Sequence, residues 1–321
     1  MNNIFKILSA FVVCVAVASC TTSDPTDPVA LRDYAEQYAT DIAAIDAYID
    51  THYLTRDADY NVTFDTLLPS SGHSSIRTDT AFQLRDTTVA EDGINYKIYF
   101  IKFREGTKDR PTQVDSVHVA YKGVNLLKSA TFDQADTPTW FKLQEVITGW
   151  SHIITNFHTG TYTPGTGGNP TSFDNYGAGV MFLPSGLAYY NSGVGTIPSY
   201  TPIIFSFKLF ELRYRDQDGD GILSKDEREM PSTVSSLIRW KENPYTGGYD
   251  HNGDGAIDVY DTDGDGYVNM YDIDDDGDHY MTRVEIKNPL GGLFSFSNIP
   301  DCGGSIIDPN RIRKHLDPAC H

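Results

Sequence analysis

The chain of 321 residues reads as an α+β protein: antiparallel β-sheet wrapped around one short helix, with a helix ahead of it and an acidic module of little regular structure behind it. Three observations predict this. Apolar and polar residues alternate in short runs between Ile94 and Tyr214, a single segment between those runs has helical spacing, and the negative charge is concentrated after residue 215.

The charge sets the first limits. Lys and Arg number 25 against 44 Asp and Glu, a net charge of −19, and 19 acidic with five basic side chains stand between Asp216 and Glu285. A field of that sign makes nucleic acid and anionic membrane surfaces poor partners, so no nucleic acid is expected. Hydrophobic residues at 40%, with 12% aromatic, supply a packed core and argue against wholesale disorder.

Residues 1–19 carry one charged side chain, Lys6, then an apolar run from Ile7 to Ala18 that is too short to cross a hydrocarbon layer of about 30 Å. That is the pattern of a secretory signal peptide. The junction Val17-Ala18-Ser19-Cys20 resembles a bacterial lipobox, which implies lipidation at Cys20, a tether over 20–28 and, with Thr21 after the cysteine, delivery to the outer membrane. Two or three acyl chains anchor stably, since each buried methylene contributes about 0.8 kcal/mol.

From Val29 to Leu54 the apolar positions Leu31, Tyr34, Tyr38, Ile42, Ile45, Tyr48 and Ile49 recur at three- and four-residue steps, an amphipathic helix. Thr55 to Asp92 has weak periodicity and reads as strand fragments and loop. Strands are predicted from Ile94, over Ser116 to Lys122, around Thr131-Phe132, over Gly179 to Leu183 and over Pro202 to Tyr214, with the one helix at Gln144 to Thr155.

Within this stretch, Val117-His118-Val119-Ala120-Tyr121-Lys122-Gly123, Thr131-Phe132-Asp133, Phe141-Lys142-Leu143, Val146-Ile147-Thr148-Gly149-Trp150, Leu183-Pro184-Ser185-Gly186-Leu187-Ala188-Tyr189 and Gly195-Thr196-Ile197-Pro198 follow one another in order. Together with Ile203-Ile204-Phe205 they resemble the FKBP-type peptidyl-prolyl isomerases over about 120 residues, roughly Asp92 to Arg213. The resemblance implies a pocket with Trp150 as floor and Tyr121, Phe132, Tyr189, Ile197 and Phe205 as walls. It implies that Asp133 is held by Tyr121, that Val146 and Ile147 open the helix, and that the Ile147 N–H and the Tyr189 hydroxyl receive substrate carbonyls. Three features depart from the family pattern: Thr139 where a Phe is usual, with Trp140 beside it as a substitute; Tyr190 in place of a Gly, a bulkier rim; and an insertion over His158 to Ser172, a gate or partner contact.

The acidic module is repetitive. Asp216, Asp218, Asp220, Ile222, Ser224 and Glu227, with Gly221 at the turn, have the spacing of a twelve-residue calcium loop, which needs about six to eight oxygen ligands. The pattern returns as Asp250, Asn252, Asp254, Asp258 and Asp261, as Asp261, Asp263, Asp265, Asn269 and Asp272, and as Asp274, Asp276, Asp278, Thr282 and Glu285, the last with His279 where Gly is expected. Sharing a terminal Asp between loops resembles thrombospondin type-3 repeats more than paired EF-hands. Structural Ca²⁺ is the expected cofactor, and a short helix is predicted over Pro231 to Lys241.

The remaining cysteines, Cys302 and Cys320, read as a disulfide in an exported chain; free thiols, or a metal pair with His315 or His321, are the alternatives. The expected organisation is therefore a signal over 1–19, a lipidated tether over 20–28, a helix and connecting region over 29–91, an FKBP-like domain over 92–215, calcium repeats over 216–285 and a C-terminal segment over 286–321. Expected partners are proline-containing exported polypeptides and, through Cys20, the membrane. The other readings are a non-catalytic peptide-binding module of an envelope complex and a calcium-dependent adhesive or spacer lipoprotein.

Overall fold

The computed structural model describes residues 31–168, 170–227, 262–309 and 311–320. The signal, Cys20, the tether, the helix predicted at Pro231 to Lys241, and Asp250, Asn252, Asp254, Asp258 and Asp261 lie outside the described residues. Two units are distinguished, Met1–Leu31 and Arg32–His321; every element below belongs to the second. No helix among the described residues is long and apolar enough to cross a membrane.

Helix α1 spans Tyr34–Thr51, shorter than the apolar periodicity alone predicts. It starts where the Asp33 carboxylate accepts the N–H groups of Ala35 and Glu36, satisfying two donors that the first turn leaves open. The chain then turns directly into a two-stranded ribbon, β1 (His52–Arg56) and β2 (Val62–Thr66).

The central sheet is antiparallel throughout, in the order β3 (Leu84–Glu91), β4 (Ile94–Arg104), β9 (Gly177–Leu183), β10 (Ile203–Arg213), β5 (Ser116–Asn125), β6 (Ala130–Lys142). The predicted strand positions lie in β4, β5, β6, β9 and β10. Strand β3 pairs with β4 along its whole length, so the boundary expected at 91/92 falls in the turn of a hairpin, where Asp92 and Gly93 both have positive φ. Helix α2 (Thr148–Ile154) packs on one face of the sheet, with Trp150, Ile153 and Ile154 against Ile98, Phe100, Val119, Met181, Phe205 and Phe207. The alternate residues Tyr99, Ile101, Val180, Phe182 and Ile204 face the other way and are covered by Ile45, Tyr48 and Ile49 of α1 and by the ribbon. Period-two alternation thus serves two cores at once, one per face.

The insertion folds into a small hairpin, β7 (Thr161–Thr163) and β8 (Ser172–Asp174). Its Phe173 rests on Phe210 and on His118, whose ring stacks on Trp140. His118 alternates with Val117 and Val119, so this hairpin lies on the sheet face away from α2. Beyond β10, Ile222 joins Ile286 and Ile299 in a small core that crosses the boundary expected at 285/286. The last short helix, α3, is Thr282–Glu285.

Candidate functional site

The aromatic residues singled out from sequence converge on α2. The Trp150 ring, 4% exposed, meets Tyr121 at 5.5 Å and Phe205 at 5.3 Å between centroids, both edge to face at 85°. Phe132 meets Phe205 at 5.5 Å, and Phe141 closes on Tyr121 and Trp150. Ile197 is buried in the same cluster, with Val146, Ile147 and Tyr189 half-buried against it. Edge-to-face pairs of this kind fix ring orientation as well as burying area.

Backbone detail explains why these rings sit as they do. Strands β5 and β6 shift register between Val119 and Tyr121 and again between Gly123 and Val124, which re-aims the side chains around the site. At Gly123 an added Cβ would lie 2.5 Å from Phe132 Cζ and 2.7 Å from Phe205 Cε1, so the glycine gives the two rings their room. Ile147 is the N-cap of α2, in extended conformation. Among the described residues its N–H donates to no backbone carbonyl.

One polar group edges the cluster. The Tyr121 hydroxyl donates to Asp133 Oδ2 at 2.6 Å, and Asp133 is exposed. Burial, then the Asp133 hydrogen bond and charge, push the Tyr121 phenol up; burial and then Asp133 do the same to Tyr189. Both hydroxyls stay protonated at neutral pH, and Asp133 fixes the direction of the Tyr121 one.

Three expectations about the rim are corrected. Trp140 does not substitute for the missing Phe: it stacks on His118 at 4.8 Å, on the sheet face opposite Trp150, because neighbouring residues of a strand point to opposite sides. Tyr190 does not enlarge the rim. It is 8% exposed, stacks on Tyr34 at 4.3 Å and donates its hydroxyl to the Arg32 carbonyl at 2.5 Å, while its φ of 40° keeps the left-handed backbone that a Gly would adopt freely. The insertion hairpin borders the His118 face, not the aromatic cluster.

A residue missed from sequence ties this region to α1. Asp41, 1% exposed, accepts the Ser185 N–H at 2.7 Å and its hydroxyl at 2.6 Å on Oδ2, and Gln37 at 2.7 Å on Oδ1. Ser185 opens the turn leading to Tyr189. A single Asp inside a helical pattern gives no sequence signal of this kind.

The acidic module holds a second set of candidate ligands. Three loops share one backbone pattern, with positive φ at Gly219, Gly264 and Gly277 and again at Gly221, Gly266 and His279. Aspartates bend the chain by accepting the N–H two residues on, as Asp218, Asp220, Asp263, Asp265, Asp272 and Asp276 do. Ser224, Asn269 and Thr282 accept the N–H of Gln217, Thr262 and Asp275, bracing each loop across its base.

Carboxylates gather in these groups: Asp216, Asp218 and Asp220; Asp220, Glu227 and Asp275; Asp263, Asp265 and Asp272; Asp274, Asp276 and Asp278, with ligand oxygens in each within 4.8 Å of one another. Both oxygens of Glu227 and of Glu285, and Oδ2 of Asp218, Asp220 and Asp276, are buried without a hydrogen-bond partner. Burial, with the neighbouring carboxylates, pushes Asp220 and Asp272 up to about 6, Asp218 and Asp276 to about 7, Glu285 to about 8 and Glu227 to about 10. Such a set of hard oxygen donors fits a calcium ion, whose charge would offset the burial of so many anions. Asp275 stands outside the positions by which the loops were recognised.

At the C-terminus Cys302 and Cys320 are joined by a disulfide, with Cα atoms 5.3 Å apart. Arg311 anchors the same tail by donating to the carbonyls of Ile299, Ser297 and Asp308.

Residues 217–308 match the family model described as BamM C-terminal. The chain is 29% identical over 133 residues to the FKBP-type peptidyl-prolyl cis-trans isomerase FkpA of Aeromonas hydrophila, covering 40% of this chain and 42% of that protein. It is 27% identical over 113 residues to a probable FKBP-type 25 kDa peptidyl-prolyl cis-trans isomerase of Pseudomonas aeruginosa, covering 35% and 42%. The chain thus spans less than half the length of these curated relatives. Among solved structures, a peptidyl-prolyl cis-trans isomerase of Pseudomonas syringae pv. tomato aligns with a TM-score of 0.35 at 19% identity, over 56% of this chain and 96% of that one. FkpA of Escherichia coli aligns at 0.32 and 22%, over 42% and 53%. The chain is therefore distantly similar in sequence to FKBP-type peptidyl-prolyl isomerases, and its last third carries a segment similar to the BamM C-terminal family.

Proposed function

We propose that the chain is a peptidyl-prolyl cis-trans isomerase of FKBP type acting on Xaa-Pro bonds of exported polypeptides. The observation that carries this reading is the aromatic cluster on Trp150 with the Tyr121–Asp133 hydrogen bond at its exposed edge. Rotation about an Xaa-Pro bond faces a resonance barrier of about 18–20 kcal/mol and leaves every covalent bond intact. A site accelerates it by binding the twisted imide better than either planar isomer. On this reading Trp150 supports the proline ring, with Phe132, Phe205 and Ile197 around it. The Ile147 N–H and the Tyr189 hydroxyl take the flanking carbonyls, and Asp133 orients a polar group of the peptide.

The same proposal has Cys20 acylated, holding the protein at the outer membrane on its periplasmic or outer side. Structural calcium ions in 216–285 neutralise the clustered carboxylates and keep that module folded.

Isomer exchange of an Xaa-Pro peptide, followed by NMR on the full chain, tests the catalytic reading against an Asp133→Ala, Tyr189→Ala double variant. Acceleration by the parent chain and its loss in the variant are expected. Equal, uncatalysed rates for both would overturn the isomerase; peptide binding retained in the parent alone would then point to a binding module.

A further inference from the structure

The loop Asp216–Glu227 does not enclose its own acidic site. Asp275, from the repeat that starts at Asp274, is 1% exposed, and neither of its carboxylate oxygens has a hydrogen-bond partner. Its ligand oxygen lies within 4.8 Å of those of Asp220 and Glu227, and these two are also buried. Glu227, 8% exposed, likewise has both oxygens unpartnered.

Nearby positive charge is already engaged. Arg283 donates to the Gly219 carbonyl at 3.0 Å and Lys225 to Asp226 at 2.6 Å. Three buried carboxylates this close, with no donor between them, are tolerable only around a proton or a cation.

The local backbone explains why Asp275 serves a neighbouring loop. It occupies the second position of its own repeat, and its N–H donates to Thr282 at the ninth. Gln217 and Thr262 stand at the same position and make the same bond, to Ser224 and Asn269. That bond ties the backbone to the loop base; the longer second-position side chains of the first and last loops then reach another repeat, the Gln217 amide to Met270 and the Asp275 carboxylate to Asp220 and Glu227, whereas Thr262 stays on Asn269 of its own loop. In the first loop Ser224 is engaged by Gln217, and a calcium sphere of about six to eight oxygens has room for a further carboxylate. Ile222 packs on Ile286 beside this contact, holding the two repeats in place.

We infer that Asp275 is a ligand of the divalent cation bound by Asp216, Asp218, Asp220 and Glu227, so that one ion fastens the first calcium loop to the last. The inference rests on the reading of that loop as a calcium site. It gives the ion a defined task. The first loop follows β10 directly, the Ser224 N–H donates to the Arg215 carbonyl, and the Arg215 N–H donates to Asp115 just ahead of β5, so the cation links the last repeat to the adjoining ends of β10 and β5 in the central sheet.

The test is calcium titration by calorimetry on the full chain in detergent, with Asp275→Asn, Glu227→Gln, their double variant, and Asp226→Asn as a charge-matched control. Asp275→Asn is expected to weaken one calcium site at least tenfold, Glu227→Gln to weaken the same site, and the double variant to lose that one site and no other, while Asp226→Asn stays within twofold. Thermal unfolding gives an independent readout: without calcium, Asp275→Asn is expected to unfold at or above the parent's temperature, because a buried unpaired charge is gone, yet to gain less on adding calcium. Loss of one site in Glu227→Gln but an unchanged titration in Asp275→Asn would overturn the bipartite site alone, as would the loss of two separate sites in the double variant. A parent chain that is folded and takes up no calcium would overturn the calcium reading with it.

Discussion

The Asp41 carboxylate accepts both the backbone N–H and the hydroxyl of Ser185, at 2.7 and 2.6 Å, and so fastens α1 to the turn that carries Tyr189. Ser185 is itself a hub, its carbonyl receiving the N–H groups of Ala188 and Tyr190. Burial pushes the Asp41 carboxyl up, while Ser185, Gln37 and Arg32 pull it back. Asp41→Asn keeps the volume but presents an amide where two donors point. A loss of about 2–4 kcal/mol is expected, because the hydrogen bonds are charge-assisted and the unmet groups are buried. Urea unfolding measures it, and faster hydrogen exchange over Ser185–Tyr190 than over β10 should accompany it. A variant as stable as the parent would show that α1 is dispensable to the site.

The Tyr121–Asp133 bond predicts a different balance. Asp133 is exposed, so Asp133→Ala and Tyr121→Phe are each expected to cost no more than about 1 kcal/mol in stability. If the acid orients the peptide, isomerisation by Asp133→Ala should still fall about tenfold, about 1.4 kcal/mol of transition-state binding. Paired unfolding and exchange measurements separate the two quantities. A fall in rate matched by an equal fall in stability would assign the pair to folding.

Gly123→Ala probes the rings without touching a polar group. The new methyl would stand 2.5 Å from Phe132 and 2.7 Å from Phe205, so at least one of these two contacting rings must shift. Overpacking of this size costs about 1–3 kcal/mol. Weaker peptide binding than in Asp133→Ala is expected, read by fluorescence titration of Trp150. Unchanged binding would mean that Phe132 is not a wall of the site.

Much of this site was legible because aromatic residues recur at fixed steps along alternating strands. Tyr121, Phe205 and Phe207 share a face by period two, and Trp150 falls on the single helical segment between strands. The errors have physical causes. Strand β3 has no readable bounds within the strand fragments and loop expected over Thr55 to Asp92, because Leu84–Glu91 is an edge strand with few buried positions and hence no clean alternation. Apolar spacing alone sets the helix start too early because it does not report a cap, and Asp33 decides it. The family pattern sets Tyr190 and Trp140 at the rim, whereas a positive φ turns the first away and strand alternation the second. Asp41 and Asp275 were invisible because each is defined by a partner distant in the chain.

His315 predicts how the C-terminal segment responds to acid. It is 1% exposed, with Nδ1 unpartnered, and burial, then Arg313 and Lys314, push its imidazole down to about 3. The folded chain therefore keeps it neutral until far below the ordinary value of about 6.5, at which the unfolded chain takes up a proton. Between those values the unfolded state binds more protons, so stability rises with pH. The contribution is fully present above about 6.5 and is lost as pH falls toward 3, on the order of 3–5 kcal/mol at the limit. The clustered carboxylates of the acidic module titrate in the same range, so the measurement is a difference. Parent and His315→Gln are compared at saturating calcium by hydrogen exchange over Phe296–Leu316 from pH 7.5 to 4. The disulfide from Cys302 to Cys320 keeps the tail attached in both. Protection in the parent should fall more steeply with acid than in the variant; parallel profiles would mean that His315 is not the group that titrates.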